Sequence, residues 1–265
     1  MSIAATWFAA VVVALWPAWA WSVARFRDGS DEPWGLVAIL ALAALVVRDR
    51  ARLAPQPRPG WLLSASALVL SAVASDAVLP PLVRGVLASA AVVAMIAALR
   101  PDRRLLLPHL ALAILSLPIL SSLQFYLGYP LRVVTAEASA WLLTAAGFEA
   151  ARSGSALTVN GSLVIVDAPC AGIHMAWAAW FTASVAGAWL RVAPAAFMSQ
   201  MSRVGGVVIG VNILRNTVLV ALESRPAGLG ETWHEATGLA AFALVCVVTV
   251  ALMSRSTVRA REWAS

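Results

Sequence analysis

The sequence contains no lysine, because all 19 of its basic residues are arginine. This absence excludes a Schiff-base lysine, a Ser–Lys catalytic pair and the phosphate-binding lysine of a P-loop. Cysteine is scarce as well: two residues in a chain of 265 provide no disulfide framework. The sequence also lacks an HExxH motif, a Gly-x-Ser-x-Gly elbow and any His/Cys cluster with metal-binding spacing. We therefore expect neither a metal ion nor another cofactor.

Charged residues are the next scarcity. They form 12% of the chain, whereas hydrophobic residues form 61%; a soluble domain carries roughly 25% charged residues. Eight helical spans of about 20 residues would occupy roughly 160 residues, which agrees with the apolar fraction. The composition predicts an all-α, polytopic membrane helical bundle with about eight transmembrane helices. The arginines lie in short loops between apolar runs and form no basic patch, so no nucleic-acid partner is expected.

Uninterrupted apolar runs give the positions of the spans. The eight candidates are Ala5–Ser22, Trp34–Val47, Trp61–Ala74, Val83–Leu99, Leu105–Leu123, Gly172–Leu190, Val204–Leu222 and Ala236–Met253. We interpret residues 1–265 as one integral membrane domain. Its parts are a section of five spans (1–124), a section of three spans that carries the candidate catalytic residues (125–254) and a basic cytoplasmic tail (255–265).

The distribution of arginine predicts the orientation. Alternate connections and the C-terminal tail hold 12 arginines against three acidic residues, and arginine-rich loops remain in the cytoplasm. Both termini are then cytoplasmic, and the other loops face outward. The arginines are Arg48, Arg50, Arg52, Arg58, Arg100, Arg103, Arg104, Arg191, Arg203, Arg255, Arg259 and Arg261.

One outer connection, between the fifth and sixth predicted spans, is long enough to contain secondary structure of its own. Pro130–Phe148 reads as a helix that polar residues interrupt, which is typical of an interfacial helix rather than of another span. Two β-branched runs follow within Leu157–Asp167, on either side of Asn160-Gly161, and Asn-Gly is the preferred type I′ hairpin turn. A small outer β-hairpin is predicted, and it leads directly to Ala168-Pro169-Cys170.

Three residues capable of chemistry meet at the predicted outer side of the last three spans. Cys170 precedes span six, Arg215 lies roughly 10 Å below the outer end of span seven by helical rise, and His234 stands at the mouth of span eight. Ionisable groups in such places are functional candidates because hydrocarbon penalises them. A thiolate is the nucleophilic form of cysteine, an imidazole can relay its proton, and a guanidinium can stabilise an oxyanion. The trio describes acyl transfer through a thioester.

Each residue also has an ordinary structural explanation. Cys170 could be a packing residue, as we expect for Cys246, and Arg215 could snorkel or pair with Glu223 or Glu235. His174 lies four residues after Cys170 on the same helical face, so it competes with His234 for the role of base. A different class of function is also open: a small transporter or channel that uses Arg215 as an anion site.

At these residues the sequence resembles the exosortase/archaeosortase family. Val166-Asp-Ala-Pro-Cys170-Ala-Gly172 is similar to the Cys-Ser-Gly-type signature of that family, with Ala171 in place of the common serine. Asn212-Ile-Leu-Arg215 resembles its Asn-x-x-Arg motif, and His234 occupies the place of its histidine. The resemblance is specific over about Pro130–Met253, and the first five spans share only hydropathy with the family.

The resemblance implies a membrane-embedded cysteine protease/transpeptidase without a cofactor, in the cytoplasmic (inner) membrane of a bacterium. Cys170 would be the nucleophile, Arg215 the transition-state stabiliser and His234 the acid/base, with Asn212, Gly172 and His174 in support. Its partners would be exported proteins with a C-terminal sorting tail of the PEP-CTERM type: a motif, a transmembrane helix and an arginine-rich end. The tail would be cut on the outer face of the membrane and passed to water or to a lipid-linked or glycan acceptor. A non-catalytic membrane protein of exopolysaccharide assembly is the third candidate.

Overall fold

The computed structural model describes residues 3–100, 106–166, 171–224 and 231–262; of the residues 3–5, 231–234 and 257–262 it describes the backbone only. Within these ranges the chain is mainly helical. The elements, in order, are α1 (Ile3–Ala14), α2 (Trp16–Arg27), α3 (Gly35–Arg48), a short 3-10 helix (Arg50–Arg52), α4 (Pro59–Ala74), α5 (Pro81–Ala98), α6 (Leu107–Leu115), α7 (Leu120–Ala145), β1 (Ala150–Ser153), β2 (Ala156–Val159), β3 (Ser162–Ile165), α8 (Ile173–Trp189), α9 (Pro194–Glu223) and α10 (Glu231–Glu262).

The predicted class, a helical polytopic membrane protein with a small β element, is confirmed. In the described part of the chain, α5, α9 and the segment Glu235–Ser256 of α10 are long and apolar enough to cross a membrane. The bent pairs α1–α2 and α6–α7 raise that number from three to five, where the sequence predicts about eight. The three predicted spans outside that number are the short helices α3, α4 and α8, which have 14, 16 and 17 residues.

The first predicted span is bent. Helix α1 ends at Ala14, α2 begins at Trp16, and the two helices meet at 61°. Pro17 stands in the first turn of α2, where it is tolerated because its nitrogen has no hydrogen to donate. Proline at this position prevents α1 from continuing as one straight helix.

The fifth predicted span is broken, and the predicted interfacial helix is longer than expected. Helices α6 and α7 meet at 92° across a break that contains Pro118. The helix predicted from Pro130 is present, but it begins at Leu120, and Pro130 lies inside it. Thr135 and Ser139, which look like interruptions in the sequence, are 4% and 0% exposed. Their hydrogen bonds to α9 allow an apolar helix to contain them.

The predicted hairpin forms the second half of a three-stranded antiparallel sheet with the order β1-β2-β3. Asn160 and Gly161 have φ angles of 48° and 82°, the positive values that a type I′ turn requires at both central residues. Strand β1 is an addition that the sequence analysis did not predict. Leu157 and Val159 of β2 are fully buried in one apolar cluster with Ala136 and Leu143 of α7, so the sheet is anchored to that helix.

The chain divides into two compact units. One comprises Met1–Ser121, Ser184–Met198 and Ser256–Ser265, and the other comprises Ser122–Ala183 and Ser199–Arg255. The core of the first unit is rich in alanine, which permits close approach of α1, α4 and α5. The five residues of the candidate site that the structure describes belong to the second unit, in which most of α7, the sheet and parts of α8, α9 and α10 lie.

An arginine cluster around one carboxylate stabilises the first unit. Asp49 is 9% exposed and forms ion pairs with Arg100 at 3.1 Å, Arg191 at 3.3 Å and Arg48 at 3.6 Å. Arg48 also stacks on the Trp189 ring, with its Cζ 4.3 Å from the ring centroid. Burial alone would raise the pKa of Asp49, but the three guanidinium groups outweigh it and hold that pKa below its ordinary value.

We expect Asp49→Asn to destabilise the protein by roughly 3 kcal/mol near pH 7, because the buried Arg100 and the half-buried Arg48 lose their counter-charge. The pKa of Asp49 is lowered by folding, so this stabilisation is present above the ordinary value of 3.8 and is lost as the pH falls below it. Thermal unfolding in detergent should therefore show a large difference between wild type and variant at pH 7 that closes in acid. Glu149→Gln, at an exposed carboxylate, serves as the control; an equal effect of both substitutions would contradict the assignment.

Candidate active site

The structure places four of the predicted site residues on three helices of the second unit. Asn212 and Arg215 lie on α9, His174 lies in the first turn of α8, and Gly172 directly precedes that turn. Cys170 lies outside the described residues. His234 lies in the first turn of α10, where only the backbone is described. Contacts of the neighbouring residues therefore define the geometry of the site.

Gly172 connects the beginning of α8 to α9. The Ala176 N–H donates to the Gly172 carbonyl at 2.9 Å, so the hydrogen bonding of α8 starts at this glycine. Its φ of 75° lies in the left-handed region that favours glycine. A Cβ at this position would come within 2.9 Å of the Asn212 amide carbon. Backbone conformation and close packing both require glycine here, and they hold the residue two positions after Cys170 against the Asn212 side chain.

A second glycine brings Arg215 against α10. A Cβ on Gly238 would lie 3.4 Å from Nη2 and 3.6 Å from Nε of Arg215. The guanidinium group thus packs on the backbone of α10 at a position without a side chain. Gly238 follows His234 by four residues, which is about one helical turn. The arginine therefore contacts the helix that carries the predicted base, one turn beyond that base.

Two pairs of buried polar side chains join α7 to α9. The Asn212 Nδ2 donates to the Thr135 Oγ1 at 3.3 Å, and the Asn216 Nδ2 donates to the Ser139 Oγ at 2.9 Å. Both asparagines are 3% exposed. On each helix the two polar residues are four positions apart, so the two bonds lie one above the other along a single helix contact. Hydrogen bonds of this kind fix the register of helices in an apolar environment, and here they fix Asn212.

Thr135, Ser139 and Asn216 were missed as supporting residues in the sequence analysis. A usable signal was present, because two polar residues recur at a spacing of four in both an apolar helix (135 and 139) and the Asn-x-x-Arg helix (212 and 216). Such spacing places both groups on one face of each helix. Polar pairs on one face of an apolar helix indicate a helix partner of the same kind.

Arg215 has the donor capacity that an anionic intermediate needs. Its side chain is half-buried, and its Nε is buried without a hydrogen-bond partner among the residues that the structure describes. A buried N–H group without a partner costs roughly 1–3 kcal/mol, and an incoming oxygen atom that accepts its hydrogen bond would remove this cost. Guanidinium groups present several donors in one plane, which suits an oxygen that develops negative charge.

The structure also describes Cys246, the second cysteine, and His174, the alternative candidate for the base. Cys246 lies in the middle of α10 and accepts a hydrogen bond from the Thr182 Oγ1, with 3.7 Å between oxygen and sulfur. This contact between α8 and α10 agrees with a packing role. His174 is half-buried in the first turn of α8, next to the segment that contains Cys170. The alternative that His174 is the base stays a prediction.

Comparison with known proteins gives one match. The family described as Transmembrane exosortase (Exosortase_EpsH) matches residues 21–251. No curated protein and no solved structure matches the chain. The match covers most of the sequence, including α7, the sheet and the three helices of the candidate site. The chain therefore belongs to the transmembrane exosortase family, whose members are multi-pass membrane proteins with a transpeptidase-type, cysteine-protease-like role in general.

Proposed function

We propose that the protein is a membrane cysteine protease/transpeptidase that removes C-terminal sorting tails of the PEP-CTERM type from exported proteins. The observation that best supports this proposal is a pair of glycine contacts that brings α8, α9 and α10 together near the candidate residues. Gly172, two residues after Cys170, packs on Asn212, and Gly238, one turn after His234, packs on Arg215. Asn212 and Arg215 are themselves one turn apart on α9. A single patch of α9 thus connects the sequences that carry the thiol and the imidazole.

The proposed chemistry begins at Cys170. His234 takes the thiol proton, and the thiolate attacks the carbonyl carbon of the bond to be cut, which produces a tetrahedral oxyanion. Arg215 donates hydrogen bonds to this oxyanion through its free guanidinium N–H. The carbon–nitrogen bond then breaks, the amine of the leaving tail takes the proton from His234, and the remaining acyl group is bonded to sulfur as a thioester.

The second half of the reaction releases the acyl group. Water or the amine of an acceptor attacks the thioester, His234 takes the proton of that nucleophile, and the thiolate leaves and is protonated. Water yields a shortened protein, and an amine yields a protein joined to its acceptor. Asn212 holds the polypeptide after Cys170 in place through its contact with Gly172, and its own position depends on Thr135.

The location of the reaction follows from the charge distribution. The 12 arginines of the predicted cytoplasmic loops and tail support an orientation with both termini inside and the site outside. An exported protein retained by an apolar helix with an arginine-rich end would present the residues before that helix on the same outer side. The proposed substrate therefore meets the site without crossing the membrane again.

The proposed thioester intermediate can be tested by adding a nucleophile that competes with water for the acyl group. Membranes containing the protein would receive a tail-bearing exported protein with and without hydroxylamine, and the shortened product would be examined by mass spectrometry. Attack of hydroxylamine on a thioester gives a C-terminal hydroxamate, whereas direct hydrolysis gives only the carboxylic acid. We expect the hydroxamate to appear in proportion to hydroxylamine and to be absent from membranes that lack the protein. A carboxylic acid alone at every hydroxylamine concentration would contradict the thioester step.

A further inference from the structure

An open groove lies beside the free edge of strand β1, on the opposite side of α7 from the buried polar pairs. Its volume is about 610 Å³. We call it the edge groove, lined by Glu137, Ala140, Trp141, Thr144, Ala145, Ala150 and Arg152. All of these residues belong to the unit that holds the candidate site, but the proposed chemistry uses none of them.

Among the residues that the structure describes, the outer edge of β1 has no strand partner. The Asn160 N–H donates to the Glu149 carbonyl at 2.9 Å, which makes these two residues a hydrogen-bonded pair of the β1–β2 ladder. Pairs alternate along an antiparallel ladder, and the register places Ala150 opposite Val159 and Arg152 opposite Leu157. The N–H and C=O groups of Ala150 and Arg152 therefore point away from β2. The same two residues line the edge groove.

Side chains complete the wall of the groove opposite that edge. Arg152 forms an ion pair with Glu137, and the Trp141 indole N–H donates to the other Glu137 oxygen at 3.1 Å. Trp141 is held by this bond although its side chain is 74% exposed. Natural sheets usually protect a free edge with charge or a covering element, but here the arginine of the edge strand is neutralised by Glu137. The groove offers backbone partners, a fixed aromatic face and no net charge.

We propose that the edge groove binds the substrate as an added β-strand. The occupant is the extended segment of the exported protein that precedes its membrane helix, paired with Ala150 and Arg152 and placing one apolar side chain on Trp141. Addition of a strand to a free edge is a common mode of peptide recognition, in which backbone bonds supply affinity and a pocket supplies selectivity. This inference rests on the proposed function, and the sheet suits it because β3 ends five residues before Cys170.

Proline substitutions at matched edge positions test the pairing. Ala150→Pro removes an N–H that points away from β2, and Leu163→Pro removes the corresponding outward N–H from β3, the other edge strand of the same sheet. Proline is tolerated on edge strands when the missing N–H faces away from the ladder. We expect Ala150→Pro to lower kcat/KM for tail cleavage by roughly tenfold, mainly through KM, and Leu163→Pro to stay within about twofold. Equal losses, or a larger loss from Leu163→Pro, would overturn the proposal.

Photocrosslinking tests binding without cleavage. A photoreactive phenylalanine analogue at position 141 or at position 165 would be introduced into the full-length Cys170→Ala protein and exposed to a tail-bearing substrate. The expected result is crosslinking from position 141 and little from position 165, whose side chain belongs to β3. Crosslinking from 165 alone would overturn the groove as the binding site. Continued tail cleavage by Cys170→Ala would instead overturn the proposed function, so the two failures are distinguishable.

Discussion

Tail cleavage is expected to be abolished in Cys170→Ala, with a loss of at least about a thousandfold, and to continue in Cys246→Ala. The proposed reaction stores the acyl group on the Cys170 sulfur, and without that sulfur no thioester can form. Cys246 has a different position, in the middle of α10 with a hydrogen bond from Thr182. The measurement is the mass of tail-bearing surface proteins in host cells that carry each variant.

The two cysteine variants are a matched pair, because each removes one sulfur atom from a chain that contains only two cysteines. Protein amounts in the membrane would be equalised by immunoblotting, and thermal unfolding in detergent would verify the fold of each variant. Uncut tails in Cys170→Ala with normal products in Cys246→Ala are the expected outcome. Normal products in both variants would contradict a cysteine nucleophile, and uncut tails in both would show that loss of a thiol acts through folding.

Local patterns predicted those parts of the fold that depend on neighbouring residues. Asn160-Gly161 indicated a type I′ turn, and both residues have the positive φ that such a turn needs. Helices α3, α4, α5 and α8 agree with their apolar runs to within about two residues at each end. Gly172 was placed in the site through its motif, and its φ and its contact with Asn212 supply the physical reason for glycine there.

Contacts with other helices and strands determined the features that were not predicted. Thr135 and Ser139 look like helix interruptions until their partners Asn212 and Asn216 are known, and these lie 77 residues further along the chain. Strand β1 contains alanine and arginine rather than a β-branched run, so its pairing with β2 supplied the only reason for an extended conformation.

In the candidate site, too, some features could be predicted from the sequence and others depend on contacts between helices. Hydropathy and residue chemistry pointed to Arg215 because an arginine inside an apolar helix is expensive. The partner of its guanidinium was not predictable, because Gly238 carries no functional group and lies on another helix. Only packing shows that this glycine provides the space for Arg215 against α10. A glycine at a close helix contact leaves no signal in hydropathy.

Arg215→Ala is expected to lower kcat for tail cleavage by about a hundredfold to a thousandfold, the usual cost of losing one oxyanion donor. Arg215→Lys should recover only part of this loss, because an ammonium group lacks the planar set of donors. Free guanidinium ion added to Arg215→Ala should restore part of the activity by entering the space beside Gly238. A purely structural arginine would not respond in this way, since the small ion cannot replace the packing of a whole side chain.

Arg203→Ala is the matched control, because Arg203 lies on the same helix about three turns earlier and donates to the Gln200 Oε1 at 3.4 Å. Its substitution removes the same charge from α9 at a distance from the candidate site, and we expect cleavage to stay within about twofold of wild type. Equal losses in both variants would assign the effect to helix packing or charge rather than to the oxyanion. A different outcome would favour the transporter: full tail cleavage by Arg215→Ala together with loss of anion flux across vesicles. An anion site needs Arg215 but does not need the thiol chemistry of the protease.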